Sequence, residues 1–282
     1  MDAVNEERYA SGPIGVFDSG YGGLTILKEI RRALPQYDYV YLGDNARAPY
    51  GPRSFDIVYR FTLEAVRFLF ARGCRLVILA CNTASAKALR TIQQNDLPQI
   101  DPSRRVLGVI RPTAESIGRL TKTGHIGVLG TVGTVSSQSY DMEVEKLYPG
   151  YRVTSEACPM WVPLVENLEA DGDGADYFVD KYVGRLLEGN ETLDTIVLAC
   201  THYPLLYGKI RRRVPEGIRV VCQGEIVAES LKDYLGRHPE MEIRCRRGGT
   251  CEYLTTENPE KFTGLGRVFL NEDVIATHVD ID

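Results

Sequence analysis

Two cysteines carry the first chemical signal, because the chain uses one phrase twice: Val77-Ile78-Leu79-Ala80-Cys81-Asn82-Thr83 and Ile196-Val197-Leu198-Ala199-Cys200-Thr201-His202. Each is a short apolar run ending in Ala-Cys and two polar residues ahead of a helical stretch. Each therefore delivers a thiol to the carboxyl end of a buried strand, where α/β sheets bind ligands. Two thiols facing one cleft can remove a proton from one side of a carbon and return one to the other. An unperturbed thiol titrates near pH ~8.5, so a modest push from a neighbour yields a thiolate base opposite a thiol acid. Asp18, at the carboxyl end of the first strand, and His202, two residues from Cys200, are the candidate tuners. The plainer readings stand beside these. A lone cysteine after a strand is usually a small core residue, Asp18 in its Asp-Ser-Gly turn can cap a helix, and His202 can be a hydrogen-bonded structural side chain.

The elements that must hold these groups alternate. Ile14 to Phe17 reads as a buried strand; Leu24, Leu27, Ile30 and Leu34 fall at helical spacing, and Pro35 ends that helix. Tyr39 to Leu42 is the next strand, Ser54 caps a helix reaching about Arg72, and Leu76 to Ala80 is the third strand. This order predicts a parallel sheet covered by helices on both faces. Ile126-Gly127-Val128-Leu129-Gly130 then echoes Ile14-Gly15-Val16-Phe17-Asp18 at a spacing similar to that of the two Ala-Cys phrases. Two like α/β halves follow from that repeat. After Val221 the pattern predicts a helix from Ile226 to Tyr234, short strands near Met241 to Cys245 and Glu252 to Leu254, a helical turn at Pro259 to Phe262, and a last apolar run at Val268 to Leu270. This tail is expected to pack back on the first half. The domains are then 1–104 plus 222–282, discontinuous, and 105–221.

Composition narrows the function classes. At 282 residues, 44% hydrophobic and 25% charged, the chain can fill two cores. It contains no run of 18 apolar residues, which argues against a membrane span. Met1 to Arg8 is polar, unlike a signal peptide, so the cytoplasm is the expected location. Seven scattered cysteines do not form a disulfide framework. Cys245 and Cys251 near His238 lack zinc spacing, and no metal site is expected. A net charge of −5 speaks against general nucleic-acid binding, with Arg211 to Arg213 and Arg244, Arg246 and Arg247 read as solvated surface. In Gly20-Tyr21-Gly22-Gly23 the third glycine of a dinucleotide fingerprint would fall at Thr25, so that motif fails; a tight turn aiming N–H groups at an anion fits better.

Five blocks together resemble the glutamate racemases of the cofactor-independent aspartate/glutamate racemase family: Gly15 to Thr25, Gly43 to Gly51, Ala80 to Ser85, Cys158 to Glu166 and Cys200 to Leu206. Asn45 departs from them, standing where many relatives carry Thr. The resemblance implies two α/β domains facing each other with the active site between them. It implies interconversion of L- and D-glutamate without a cofactor, supplying D-glutamate to peptidoglycan synthesis. By position, Cys81 would act on the D-enantiomer and Cys200 on the L-enantiomer, with Asp18 and His202 assisting and Glu166 orienting or polarising His202. Glu166 alone would otherwise read as an exposed helix carboxylate. The implied substrate contacts are Asp18, Ser19, Tyr50, Gly51, Asn82, Thr83, Thr201 and His202.

The chemistry makes the same demands. An α-proton is far less acidic than any ionisable side chain, and without an electron sink the protein itself must stabilise the carbanion. Helix N-termini after Cys81 and Cys200, with Asn82 and Thr83, supply donors for the carboxylates, and closure of the halves would exclude water. Arg47, Arg53 and Arg111 are further candidate donors. The expected partner is a small molecule, L- or D-glutamate, and the expected assembly a homodimer. A racemase of aspartate or another acidic amino acid, and a non-catalytic cleft that only captures such a metabolite, are the competing readings. Some members of the family also bind a muropeptide precursor or gyrase; nothing in this chain points to either.

Overall fold

The structure, a computed structural model, describes residues 11–281; the polar segment Met1 to Arg8 lies outside them. Strands β1 (Ile14–Asp18), β2 (Tyr39–Gly43) and β3 (Leu76–Leu79) form from the apolar runs noted above, and every residue in them is buried. Burial on both faces is what a parallel strand between two helical layers requires. The first sheet has the order β10-β9-β2-β1-β3-β4, with β4 at Arg105–Gly108, β9 at Cys251–Thr255 and β10 at Ala276–His278, and all its pairings are parallel. The second sheet has the order β6-β5-β7-β8, with β5 at His125–Gly130, β6 at Arg152–Ala157, β7 at Thr195–Ala199 and β8 at Arg219–Val221, also parallel.

The chain crosses between the sheets twice, after β4 and after β8. β4 pairs with β3, so the residues from Arg105 to Gly108 sit in the first sheet, past the boundary expected at 104/105. The tail returns as anticipated: β9 pairs with β2 in the register Tyr39↔Cys251, and the helix Gly224–Arg237 lies against the helix Leu24–Ala33. In the first half, Ser54 caps the helix Phe55–Ala71, its side chain accepting from the Ile57 N–H at 3.4 Å.

Two tail assignments change. Met241 to Cys245 is not a strand. Pro239, at the first position, starts the short helix Pro239–Glu242, and the N–H groups of Met241 and Glu242 both bond to His238 O at 2.9 Å, while Cys245 makes only an isolated bridge to Gly12. Pro favours that position because its missing N–H is unneeded there. Pro259 to Leu270 is one continuous helix, not a turn followed by an apolar run. Asn258 caps it, accepting from the Glu260 N–H at 2.7 Å, and Phe262, Gly266, Phe269 and Leu270 form its buried face. Gly264 and Gly266 weakened the helical signal; Gly266 is needed because a Cβ there would lie 2.9 Å from Val274 Cγ2.

Candidate active site

Parallel sheets align their carboxyl ends, and here that brings Asp18 and Cys81 together. β1 and β3 are in register as Phe17↔Leu79, and the Ala80 N–H bonds to Phe17 O at 2.8 Å. Past β3 the chain turns into the helix Asn82–Lys87, and Cys81 is its N-cap, the sulfur accepting from the Ala84 N–H at 3.5 Å. Ser19 Oγ lies 3.5 Å from the same sulfur. Burial pushes the Cys81 thiol up to about 12, the charge of Asp18 adds to this, and the bonds from Ser19 and Ala84 pull the other way. Asp18 is itself fully buried. It accepts the Gly20 N–H at 2.9 Å and the Thr201 hydroxyl at 3.4 Å, and burial raises its carboxyl above the usual range against the pull of His202. The Gly20 N–H, expected to meet an anionic ligand, thus serves the carboxyl of the same turn.

The second sheet delivers Cys200 just past β7. Its sulfur lies 3.9 Å from His202 Nδ1, and His202 Nε2 lies 2.9 Å from Glu166 Oε1. Burial would discharge the imidazole, but the hydrogen bonds to Cys200 and Glu166 outweigh it and hold its pKa at about 10. His202 is therefore an imidazolium at neutral pH, with Phe269 edge-on at 5.4 Å. Gly22 lets the first sheet's turn come this close: a Cβ there would fall 2.3 Å from Thr201 Oγ1 and 2.4 Å from His202 Nδ1.

Between the two thiols is a cavity of about 160 Å³. Ser19, Tyr50, Gly51, Cys81, Asn82 and Thr83 border it from the first half, and Glu166, Cys200, Thr201 and His202 from the second. Asp18 does not line it and lies beneath, holding Gly20 and Thr201. Across the rim the Gly133 N–H bonds to Gly51 O at 2.8 Å, and Thr83 Oγ1 lies 2.9 Å from Thr131 Oγ1. Cys158, Pro159, Val162 and Pro163 add an apolar wall. Among the described residues no group of three or more His, Cys, Asp or Glu side chains is arranged to hold a metal.

None of the three arginines borders the cavity. Arg47 is committed to Asp44 at 2.7 Å and to Glu64, and Arg111 to Glu115 at 2.8 Å. Arg53 instead offers its carbonyl to Lys87 Nζ at 2.7 Å. Asp44 was not anticipated. It is fully buried just past β2, takes the Tyr50 hydroxyl and the Arg47 Nε–H on Oδ2, and takes the Thr256 hydroxyl on Oδ1 at 2.9 Å. Its place at a strand's carboxyl end is the signal that could have found it. Tyr140 and Gln223, which bond to the Asn82 amide, carry no local signal at all.

Residues 14–231 match the family model described as Asp/Glu/Hydantoin racemase. A glutamate racemase of Geobacter metallireducens is 40% identical over 258 residues, covering 91% of this chain and 92% of its own. The crystal structure of a glutamate racemase isoform from Bacillus anthracis superposes with a TM-score of 0.87 at 35% identity, covering 96% of this chain and 98% of that one. The glutamate racemase of Francisella tularensis, solved in complex with D-glutamate, superposes at 0.85 with 28% identity, covering 96% and 98%.

Proposed function

Because the chain belongs to the Asp/Glu/Hydantoin racemase family and is an isomerase, a glutamate racemase, we propose that it inverts glutamate at Cα with its two cysteines. One observation carries this reading: two sulfurs from different sheets border a single cavity, each with its own polar helper.

In the L-to-D direction Cys200, with the His202 imidazolium beside it, acts as the base that takes the α-proton of L-glutamate. The carbon then holds the electron pair of the broken C–H bond. The Cys81 thiol returns a proton to the opposite face, which leaves Cys200 as thiol and Cys81 as thiolate. In the D-to-L direction Cys81 is the base and Cys200 the acid. The high pKa of Cys81 suits it to hold a proton until the carbanion needs one, and makes its thiolate a strong base in the reverse direction. Asp18 and Ser19 would tune Cys81, and Glu166 would keep His202 charged and aligned. Asn82, Thr83 and Thr201, with the backbone at Gly51, would hold the carboxylates beside the Tyr50 ring, and exclusion of water on closure would strengthen each contact.

The remaining family expectations join this proposal: D-glutamate supplied to peptidoglycan synthesis in the cytoplasm, a homodimer, and a division at residues 1–104 plus 222–282 and 105–221. For the division, the support is that β9 and β10 join the first sheet. Among the described residues no helix is long and apolar enough to cross a membrane.

Circular dichroism of the purified protein with L-glutamate, and separately with L-aspartate, tests the substrate. Loss of optical rotation with glutamate is expected, and in D2O the product should carry deuterium at Cα. Turnover of aspartate but not glutamate would overturn the assignment, and full turnover by Cys81→Ala would overturn the mechanism.

A further inference from the structure

The Asn82 side chain belongs to a closed ring of hydrogen bonds that lies behind the cavity. Asn82 Nδ2 donates to Gln223 Oε1 at 2.7 Å, Gln223 Nε2 donates to the Tyr140 hydroxyl at 2.8 Å, and that hydroxyl donates to Asn82 Oδ1 at 2.8 Å. All three residues are at least 97% buried. Three stretches of chain meet here: Asn82 opens the helix after Cys81, Tyr140 sits on the helix Ser139–Leu147 of the second half, and Gln223 lies where the chain returns to the first sheet.

An amide can turn over and exchange its oxygen and nitrogen, so the direction of such a ring needs an anchor. Thr113 supplies it. Its hydroxyl hydrogen is committed to the carbonyl of Val109 at 2.8 Å, so Thr113 Oγ1 can only accept from Gln223, and Nε2 meets it at 2.8 Å. With its nitrogen held there, Gln223 must turn Oε1 to Asn82. Asn82 must then answer with Nδ2 and leave Oδ1 to Tyr140. Turning the Asn82 amide over would set its oxygen against Gln223 Oε1, two acceptors with no hydrogen between them, in a place without solvent.

Of the Asn82 side chain's polar groups, one N–H is left uncommitted by the ring, and Asn82 borders the cavity. We propose that Gln223, Tyr140 and Thr113 are positioning residues that lock the Asn82 amide so that it turns an N–H, and never its carbonyl oxygen, to the substrate's carboxylate. This rests on the functional reading above, in which Asn82 contacts glutamate. A backbone carbonyl at Val109 thereby sets the polarity of a donor that reaches substrate through three intervening side chains.

The test is a double-mutant cycle read by KM for both enantiomers: wild type, Asn82→Ala, Gln223→Met and the pair. Asn82→Ala and Gln223→Met should each raise KM about 10-fold, the first by removing a hydrogen bond to a charged group and the second by removing the Oε1 that fixes the direction of the amide. The double variant should be no worse than Asn82→Ala alone, because without the amide there is nothing left to orient. A Gln223→Met enzyme with wild-type KM, or single effects that multiply in the double variant, would overturn the proposal while leaving the glutamate assignment intact. If Gln223→Met does not fold, Gln223→Leu carries the same expectation and the same overturning outcomes. A wild type that does not turn over glutamate fells the functional reading, and this inference with it.

Discussion

His202 sits between an acid and a thiol, its Nε2 2.9 Å from Glu166 Oε1 and its Nδ1 3.9 Å from Cys200 Sγ. The carboxylate is partly exposed and the imidazole is buried, so the charge inside the protein is compensated by one at its margin. Removing that compensation is the most direct probe of the second half of the site. Glu166→Gln keeps the shape and loses the charge. Turnover should fall about 10²-fold, the scale of a general acid–base contribution. The two enantiomers have equal free energy, so kcat/KM must fall by the same factor in both directions. The difference should show instead in the isotope effect, which grows with L-[2-²H]glutamate, the substrate whose proton Cys200 takes. An unchanged isotope effect would disconnect Glu166 from Cys200.

The pH dependence of stability follows from the same imidazole. Its folded pKa of about 10 lies above the ordinary imidazole value of 6.5, so the contribution is fully present below 6.5 and is lost progressively as pH rises toward 10. Thermal melts should show the wild type losing stability across this range. His202→Asn should lack that component of the decline. Parallel pH profiles for the two proteins would show that the pair carries no such linkage.

At Gly22 the two halves come into close contact. In Gly22→Ala the new methyl would meet Thr201 and His202 well inside contact distance, so one of them must move. Overpacking of this kind costs about 1–3 kcal/mol. Because the displaced groups flank Cys200, activity should drop by about 10² or more, beyond what the change in melting temperature explains. A variant with wild-type turnover would mean that His202 tolerates the shift.

The thiols outside the cavity should be silent. Cys222 and Cys251 are partly exposed, yet burial pushes each up to about 11, so neither is an active nucleophile at neutral pH. The Cys222→Ser/Cys251→Ser variant should keep turnover within about twofold of wild type, in line with ordinary surface substitutions. A larger loss would give one of them a role the cavity does not suggest.

The parts of this protein that follow from short-range pattern were legible in its sequence. Buried runs ending in polar residues at Asp18, Cys81 and Cys200 mark strand termini, and parallel strands bring their termini to one edge, so the gathering of these groups needs no knowledge of distant contacts. Ser54 announces its helix by type and position. What escaped depends on long-range pairing or competing local signals. Gln223 and Tyr140 become neighbours of Asn82 only when the second crossing is made. The three arginines looked available because the acids that hold two of them, Glu64 and Glu115, lie on other turns or other elements. Gly264 and Gly266 hid a helix whose stability comes from its buried face, and Met241 to Cys245 mimics a strand in a segment that Pro239 turns helical.

The position of β9 beside β2 has a consequence for the order of events during synthesis. Asp44, which receives the Tyr50 hydroxyl, also takes the hydroxyl of Thr256, just past β9. A growing chain exposes β2 as an unpaired edge until the ribosome has made and released more than two hundred further residues. In the last part of that interval, once Cys200 has been made, both cysteines exist while the bond from Thr256 to Asp44 behind Tyr50 does not. The contact that ties Asp44, and through it Tyr50, to the tail therefore forms only after the strand β9 has been made.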